Sequence, residues 1–154
     1  MKAKSTLTTL SLRGFELSNS SFKQISQIDK LIHLEINASN LSDIKTNYSY
    51  LSSEGFSHLK KISKLRKLKI HNPKDSQGRA LPVYLPEFAF SCPWLEHLEV
   101  SGCLIELKEL TLKVFLVCLV TDSKLKHLNI QDCGFDRGFV KMMKQKYPHI
   151  KIVD

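Results

Sequence analysis

Histidine occupies the third position of three closely similar hexads in this chain of 154 residues. The hexads are Leu31-Ile-His-Leu34-Glu-Ile36, Leu95-Glu-His-Leu98-Glu-Val100 and Leu125-Lys-His-Leu128-Asn-Ile130. Because side chains alternate between the two faces of a strand, positions four and six are expected in the core and positions three and five on the outside. Continued through looser copies of the hexad, the third position is occupied by Thr9, His33, Lys67, His97, His127 and His149.

Imidazoles on neighbouring strands favour either metal binding or a response to pH. Strands lie about 4.8 Å apart, so His97, His127 and His149 are expected to form a short imidazole ladder. Three imidazoles hold zinc in some sites, but a tetrahedral metal needs convergent ring nitrogens, and flat rings also fit between side chains of adjacent strands. We therefore predict no metal and no cofactor. A pH-sensitive contact stays open, because stacked imidazoles resist simultaneous protonation near neutral pH.

The other outward positions are polar and chemically mixed. The fifth position is occupied by Ser11, Glu35, Lys69, Glu99, Asn129 and Lys151, and the seventh by Arg13, Asn37, His71, Ser101, Gln131 and Val153. We find no Ser-His-Asp arrangement in this pattern, and Glu35 and Glu99 are two repeats apart, too distant for paired acid/base chemistry. We predict no catalytic residues and a protein that is not an enzyme.

The hexads require a repeating architecture to bury their leucines. Looser copies begin at Leu7 and Leu65, a last copy uses Tyr147, Ile150 and Ile152, and successive copies are 24, 34, 30, 30 and 22 residues apart. That spacing accommodates one strand and one returning helix per repeat, and burying a leucine is worth roughly 1.5–3 kcal/mol. We predict one α/β domain over residues 1–154, with about six parallel strands on one wall and helices on the other. Helices are expected over residues 52–65, 85–91, 107–120 and 138–146.

Positive charge is concentrated in two parts of the chain, whose formal net charge is +8. The basic residues are Lys60, Lys61, Lys64, Arg66, Lys67, Lys69, Lys74 and Arg79 in the middle, and Lys141, Lys144 and Lys146 on the last predicted helix. They form either an ordinary solvated surface or a site for a partner protein with an acidic surface. Nucleic acid is the weaker alternative, because few aromatic residues interleave with the basic ones.

Composition favours an intracellular globular protein. The four cysteines show no CxxC pair, which indicates reduced thiols, and we expect them to be small buried side chains. The N-terminus lacks the apolar core of a secretory signal, and the most apolar run, residues 114–120, is too short to insert into a membrane. The cytoplasm or nucleus is the expected location, with mitochondria left open.

Residues 92–105 carry a more specific pattern than spaced leucines. They read Cys92-Pro-Trp-Leu95-Glu-His-Leu98-Glu-Val100-Ser-Gly-Cys103-Leu-Ile105, and the segment from Leu125 to Cys133 repeats the second half. This pattern resembles the cysteine-containing leucine-rich repeat of F-box and related proteins, closely over residues 92–135 and more loosely elsewhere, where Phe15, Ser39 and Pro73 replace the turn cysteine. No F-box-like stretch precedes the first repeat, so the resemblance covers the substrate-gripping repeats and not ligase docking.

The resemblance implies a curved solenoid, or horseshoe, that binds a partner protein on its concave strands. The function implied is a non-catalytic interaction module, such as a substrate-recognition or adaptor subunit of a ubiquitin ligase. An assembly factor or structural subunit of a large complex, similar to the leucine-rich-repeat protein associated with mitochondrial ATP synthase, is an alternative, as is a basic nucleic-acid-binding module. Sheet edges at both ends are expected to be covered by a partner chain unless they are short. The predicted partner-binding residues are Arg66, Lys67, Lys69, His71, His97, Glu99, His127 and Asn129.

Overall fold

Six strands and two helices form the part of the chain that the structure, a computed structural model, describes: residues 6–14, 17, 19–37, 57–71, 94–102 and 124–154. In chain order they are β1 (Thr9–Arg13), α1 (Asn19–Ile25), β2 (His33–Asn37), β3 (Lys67–His71), β4 (His97–Ser101), β5 (His127–Asn129), α2 (Arg137–Lys146) and β6 (Lys151–Val153).

The six strands make one sheet in which every neighbouring pair is parallel. Strand order in the sheet follows chain order from β1 to β6, and equivalent hexad positions face each other without a register shift from β1 to β5. His97, for example, pairs with Lys67 on one side and His127 on the other. The predicted α/β class with about six parallel strands is confirmed.

Burial follows the alternation of the hexad. Leu34, Leu68, Leu98 and Leu128, all at position four, are at most 1% exposed, and the described aliphatic residues at position six are buried beside them. These rows join the inward residues of α2 in a single cluster. In β1, Leu10 and Leu12 are only partly buried, because this strand has a neighbour on one side among the described residues. The sheet therefore has one apolar face in the core and one polar face.

The chain approaches β3 through tight turns. Residues 57–59 are helical, and after them Ile62 and Leu65 donate backbone hydrogen bonds to carbonyls three residues earlier, at 3.0 Å each. Leu59, Ile62 and Leu65 are fully buried as expected, but the predicted helix over residues 52–65 does not continue past residue 59. Apolar residues at intervals of three fit successive turns as well as a helix. As a result, the lysines at 60, 61 and 64 lie on turns.

The last repeat is offset by two residues from the predicted alignment. Lys151 pairs with His127 and Ile152 with Leu128, so Lys151, and not His149, continues the third position of the hexads. His149 lies in the exposed turn before β6, where its ring meets the edge of Tyr147. The predicted ladder of His97, His127 and His149 is therefore wrong, and its last member is a lysine.

Helix α2 begins one residue before its predicted start and ends where it was predicted to end. The Asp136 carboxylate accepts the backbone N–H of Phe139 at 2.9 Å, which caps the first turn. At the other end the N–H of Tyr147 bonds to the Met143 carbonyl, and Pro148 follows. Phe139 and Met143 are buried in the core cluster. Helix α1 had no counterpart among the predicted helices.

A left-handed residue follows three of the strands at the same place in the repeat. Gly14, Gly102 and Asp132 have φ values of 69°, 65° and 57° and occupy the eighth position counted from the first leucine. After the last of them, the buried Cys133 thiol donates to the Val100 carbonyl on the neighbouring strand, with 2.9 Å between S and O. The expectation of a small buried side chain is confirmed for Cys133.

Several predictions fall outside the described residues. They concern the helices over residues 85–91 and 107–120, the start of the helix over 52–65, and the cysteines at 92, 103 and 118. No helix in the described part of the chain has the length and apolar character needed to cross a membrane.

The contribution of α2 to the core can be tested with two adjacent methionines. Met143 is 1% exposed and Met142 is 39% exposed. We expect Met143→Ala to lower the free energy of unfolding by about 2–5 kcal/mol, because it removes contacts and leaves a cavity, whereas Met142→Ala should change it by less than about 0.5 kcal/mol. Urea unfolding followed by circular dichroism measures both. Equal effects of the two changes would contradict the packing of α2.

Candidate functional site

Three rows of side chains cross the polar face of the sheet because the strands are in register. We call them the first, second and third rows in the direction of the strands. The first row is Thr9, His33, Lys67, His97, His127 and Lys151; the second is Ser11, Glu35, Lys69, Glu99, Asn129 and Val153; the third is Arg13, Asn37, His71 and Ser101. Each row is a line of neighbours about 4.8 Å apart.

The first row is cationic and accessible. Lys67, His97, His127 and Lys151 stand side by side on four neighbouring strands, and each is exposed or half-exposed. The rings of His97 and His127 have centroids 5.7 Å apart and planes tilted by 34°. The first row contains no carboxylate, and none of the ion pairs among the described residues includes one of its side chains.

This environment disfavours a proton on His127. Partial burial of the ring lowers the pKa of His127 below its usual value of 6.5, and the adjacent His97, followed by Lys151 and Lys67, lowers it further. Glu99, in the second row, acts in the opposite direction but does not reverse the shift. At pH 7 the ring is therefore predominantly neutral, and an anion beside it would favour its protonation.

The second row holds its carboxylates in ion pairs. Glu99 binds Lys69 of the neighbouring strand with 2.8 Å between Nζ and Oε2, and Glu35 lies 3.4 Å from the Arg13 guanidinium. Burial alone would raise the pKa of Glu99, but the hydrogen bond and charge of Lys69, with His71 and His127, outweigh it and bring that pKa below 4.5. The acidic groups of the polar face are thus neutralised within the second and third rows.

A hydroxyl, an imidazole and a carboxylate meet at the end of β3 and β4, which the sequence pattern did not predict. The Ser101 hydroxyl and Nδ1 of His71 share a hydrogen bond of 2.8 Å, and Nε2 of His71 lies 3.7 Å from the Glu99 carboxylate. The second distance exceeds that of a hydrogen bond, and the carboxylate is already held by Lys69. The N–H of Gly102, next to the hydroxyl, donates to the Gln131 carbonyl and so cannot stabilise an oxyanion. This cluster therefore fixes side chains and does not have the geometry of a catalytic triad.

The predicted contact residues divide into two groups. Lys67, Lys69, His71, His97, Glu99, His127 and Asn129 all lie on the three rows. Arg66 precedes β3 by one residue, and its guanidinium donates to the carbonyls of Ser63 and Leu65. The Asn129 side-chain oxygen accepts the N–H of Gln131, so part of its hydrogen-bonding capacity is used within the turn.

A depression of about 200 Å³ lies on the polar face at the β1 side. Its polar walls come from three strands: Thr9 and Ser11 of β1, His33 and Glu35 of β2, and Lys67 and Lys69 of β3. It joins the cationic first row to the mixed second row. A protein side chain that enters it would meet both positive charge and hydrogen-bonding groups.

A second basic surface lies on α2. Arg137, Lys141 and Lys144 line an open groove of about 450 Å³, together with Val140, Gln145 and Asp154. Lys144 is ion-paired with Asp154. In the described residues, no group of three or more histidine, cysteine, aspartate or glutamate side chains is arranged to hold a metal ion.

Comparison with known proteins does not assign this chain to a family. The chain matches no protein-family model and no curated protein sequence. The resemblance to cysteine-containing leucine-rich repeats therefore stays a prediction that rests on residues 92–105 and 125–133.

The pair between Glu99 and Lys69 predicts a pH-dependent contribution to stability. We expect Glu99→Gln to lower the free energy of unfolding at pH 7 by about 1 kcal/mol, because Lys69 is half-buried and loses its charged partner. The pKa of Glu99 is lower in the folded protein than in the unfolded chain. This stabilisation is therefore present at pH values above the unfolded-state pKa and is lost as the pH falls through the folded-state pKa. The wild type and the variant should therefore converge in acid, as the pH falls through the lowered pKa of Glu99.

Glu96→Gln is the matched control for this prediction. Glu96 is paired with Lys126 at 2.7 Å, but that pair is more exposed, since the Lys126 side chain is 67% accessible against 26% for Lys69. Its replacement should change stability less than that of Glu99. Urea titrations at neutral and acidic pH give both values, and a loss for Glu99→Gln that persists unchanged in acid would contradict the ion pair.

Proposed function

We propose that this chain is a non-catalytic interaction module that binds a partner protein on the polar face of its sheet. The observation that carries the proposal is the first row: four neighbouring strands present Lys67, His97, His127 and Lys151 side by side, exposed or half-exposed and without a carboxylate among them. Its two lysines have no ion-pair partner among the described residues, so an acidic partner can complement them.

The fold supports a proposal for the form of the partner-binding surface. We propose that the parallel sheet is the concave wall of a leucine-rich-repeat solenoid. Three features support this: the in-register hexads, the repeated left-handed residue after the strand, and the Cys133 thiol bonded to the preceding strand. The similarity of residues 92–135 to the repeats of F-box proteins makes a substrate-recognition or adaptor subunit of a ubiquitin ligase the role we favour.

The charge of the polar face indicates which kind of partner protein it can bind. At neutral pH, with its histidines counted as neutral, the polar face carries four positive charges, on Arg13, Lys67, Lys69 and Lys151, and two negative ones, on Glu35 and Glu99. Both negative charges are engaged by Arg13 and Lys69. A protein with an acidic surface complements the unpaired remainder.

Affinity capture from a cell lysate with three forms of the protein tests this function. The forms are the wild type, a first-row variant (Lys67→Glu, His97→Ala, His127→Ala) and a control variant (Lys141→Glu, His149→Ala). The control makes the same change in formal charge at exposed positions away from the polar face. We expect a partner protein that the wild type and the control retain and the first-row variant loses.

The same experiment separates the other possibilities. Retention of one partner by all three forms would place the contact outside the first row and contradict the proposal. Binding that disappears after nuclease treatment would favour a nucleic-acid ligand. The identity of a retained protein distinguishes a ligase substrate from a subunit of a large assembly, which was the alternative for a small repeat protein.

A further inference from the structure

The first row places titratable groups where a partner's charges would meet them. His97 and His127 are adjacent, with Lys67 on the β3 side and Lys151 on the β6 side. The negative groups near this pair are Glu99, which Lys69 holds, and Glu96, which Lys126 holds. If both rings were protonated, their positive charges would therefore lie between two lysines. Both nearby carboxylates are already engaged in ion pairs.

We propose that the first row binds an acidic segment of polypeptide laid across the strands, and that the pair His97 and His127 takes up a proton as this segment binds. This inference rests on the proposed function and specifies its ligand and its regulation.

The dimensions of the row suit a short extended segment. Lys67, His97, His127 and Lys151 span three inter-strand spacings, or about 14 Å, which about five extended residues cover. Because the side chains of an extended segment alternate between its two faces, carboxylates on alternate residues, roughly 7 Å apart, face the two lysines and two imidazoles of the row. The two end charges are permanent, whereas the two central ones appear only when the rings are protonated.

The second row indicates why the ligand is a polypeptide. Its Glu35 and Glu99 already engage Arg13 and Lys69, so the second row adds no unpaired cation for the continuous negative charge of a nucleic-acid backbone. No phenylalanine, tyrosine or tryptophan ring that could stack on a base belongs to the three rows. A polypeptide can instead direct its acidic side chains to the first row and its backbone N–H groups to the carboxylates of the second.

The direction of the pH effect follows from the charges. In the free protein, burial, His97 and the flanking lysines depress the pKa of His127, so its ring is predominantly neutral at pH 7. A bound carboxylate favours the protonated ring and raises that pKa. The added affinity is then fully present below the pKa of the free protein and is lost as pH rises through the pKa of the complex.

Fluorescence anisotropy with a labelled hexa-aspartate peptide tests the inference. Aspartate stays ionised above about pH 5, so histidine dominates any change in affinity between about pH 7.5 and pH 5.5. We expect binding about tenfold tighter at the lower pH, within the range of ordinary coupling between linked sites. His97→Gln with His127→Gln should reduce this change to less than about twofold, and His149→Gln, outside the row, should leave it as in the wild type.

Calorimetry provides a measurement that does not depend on the variants. Titration of the peptide near pH 7 in two buffers of different ionisation enthalpy should show net proton uptake on binding. Circular dichroism at each pH confirms that every form is folded under the conditions used.

Four results would overturn the inference: equal affinity at both pH values, equal binding of a hexa-asparagine peptide, tighter binding of a hexauridylate RNA than of hexa-aspartate, or no binding of hexa-aspartate at either pH. The last result, with a captured partner that the first-row variant still loses, would leave the proposed function intact. If the peptide binds with the expected pH dependence but no partner is captured, the result would support this inference and not the proposed function.

Discussion

The in-register burial of one leucine row per strand is the constraint on which the rest of the structure depends. Leu34, Leu68, Leu98 and Leu128 lie at equivalent positions of neighbouring strands and are at most 1% exposed. A shift of one residue in any strand would turn its leucine to solvent and a polar or charged neighbour into the core. The hydrophobic gain from this row therefore sets the register, and the register in turn lines up the outward side chains.

Because of that alignment, the repeated sequence pattern also determines which charged side chains are neighbours on the polar face. Residues about 30 positions apart in the chain become neighbours: Lys69 meets Glu99, His71 meets Ser101, and His97 meets His127. The carboxylates are paired with cations in the second and third rows, and the first row contains only lysine and histidine besides Thr9. Core packing and the charge of the polar face are thus consequences of one register.

Local alternation is strong enough to predict the strands, the buried leucines and most of the first row from sequence. It fails at Lys151, because a shift of two residues keeps every side chain on the same face, and Ile150 and Ile152 satisfy the pattern in either alignment. It also fails at the turns after residue 59, where apolar intervals of three suit a helix and tight turns alike. The cluster of His71, Glu99 and Ser101 was missed because its members come from two repeats and meet only across paired strands.

Disulfide trapping between introduced cysteines tests the register most directly. His127→Cys is combined in turn with His97→Cys, Lys151→Cys and His149→Cys, and the linked peptides are identified by mass spectrometry after mild oxidation. Paired positions on adjacent strands have Cα atoms about 5 Å apart, within the reach of a disulfide, whereas an offset of two residues places them roughly 8 Å apart. The register predicts links from position 127 to 97 and to 151, and little or none to 149. A preferred link to 149 would contradict it, and with it the composition of the first row.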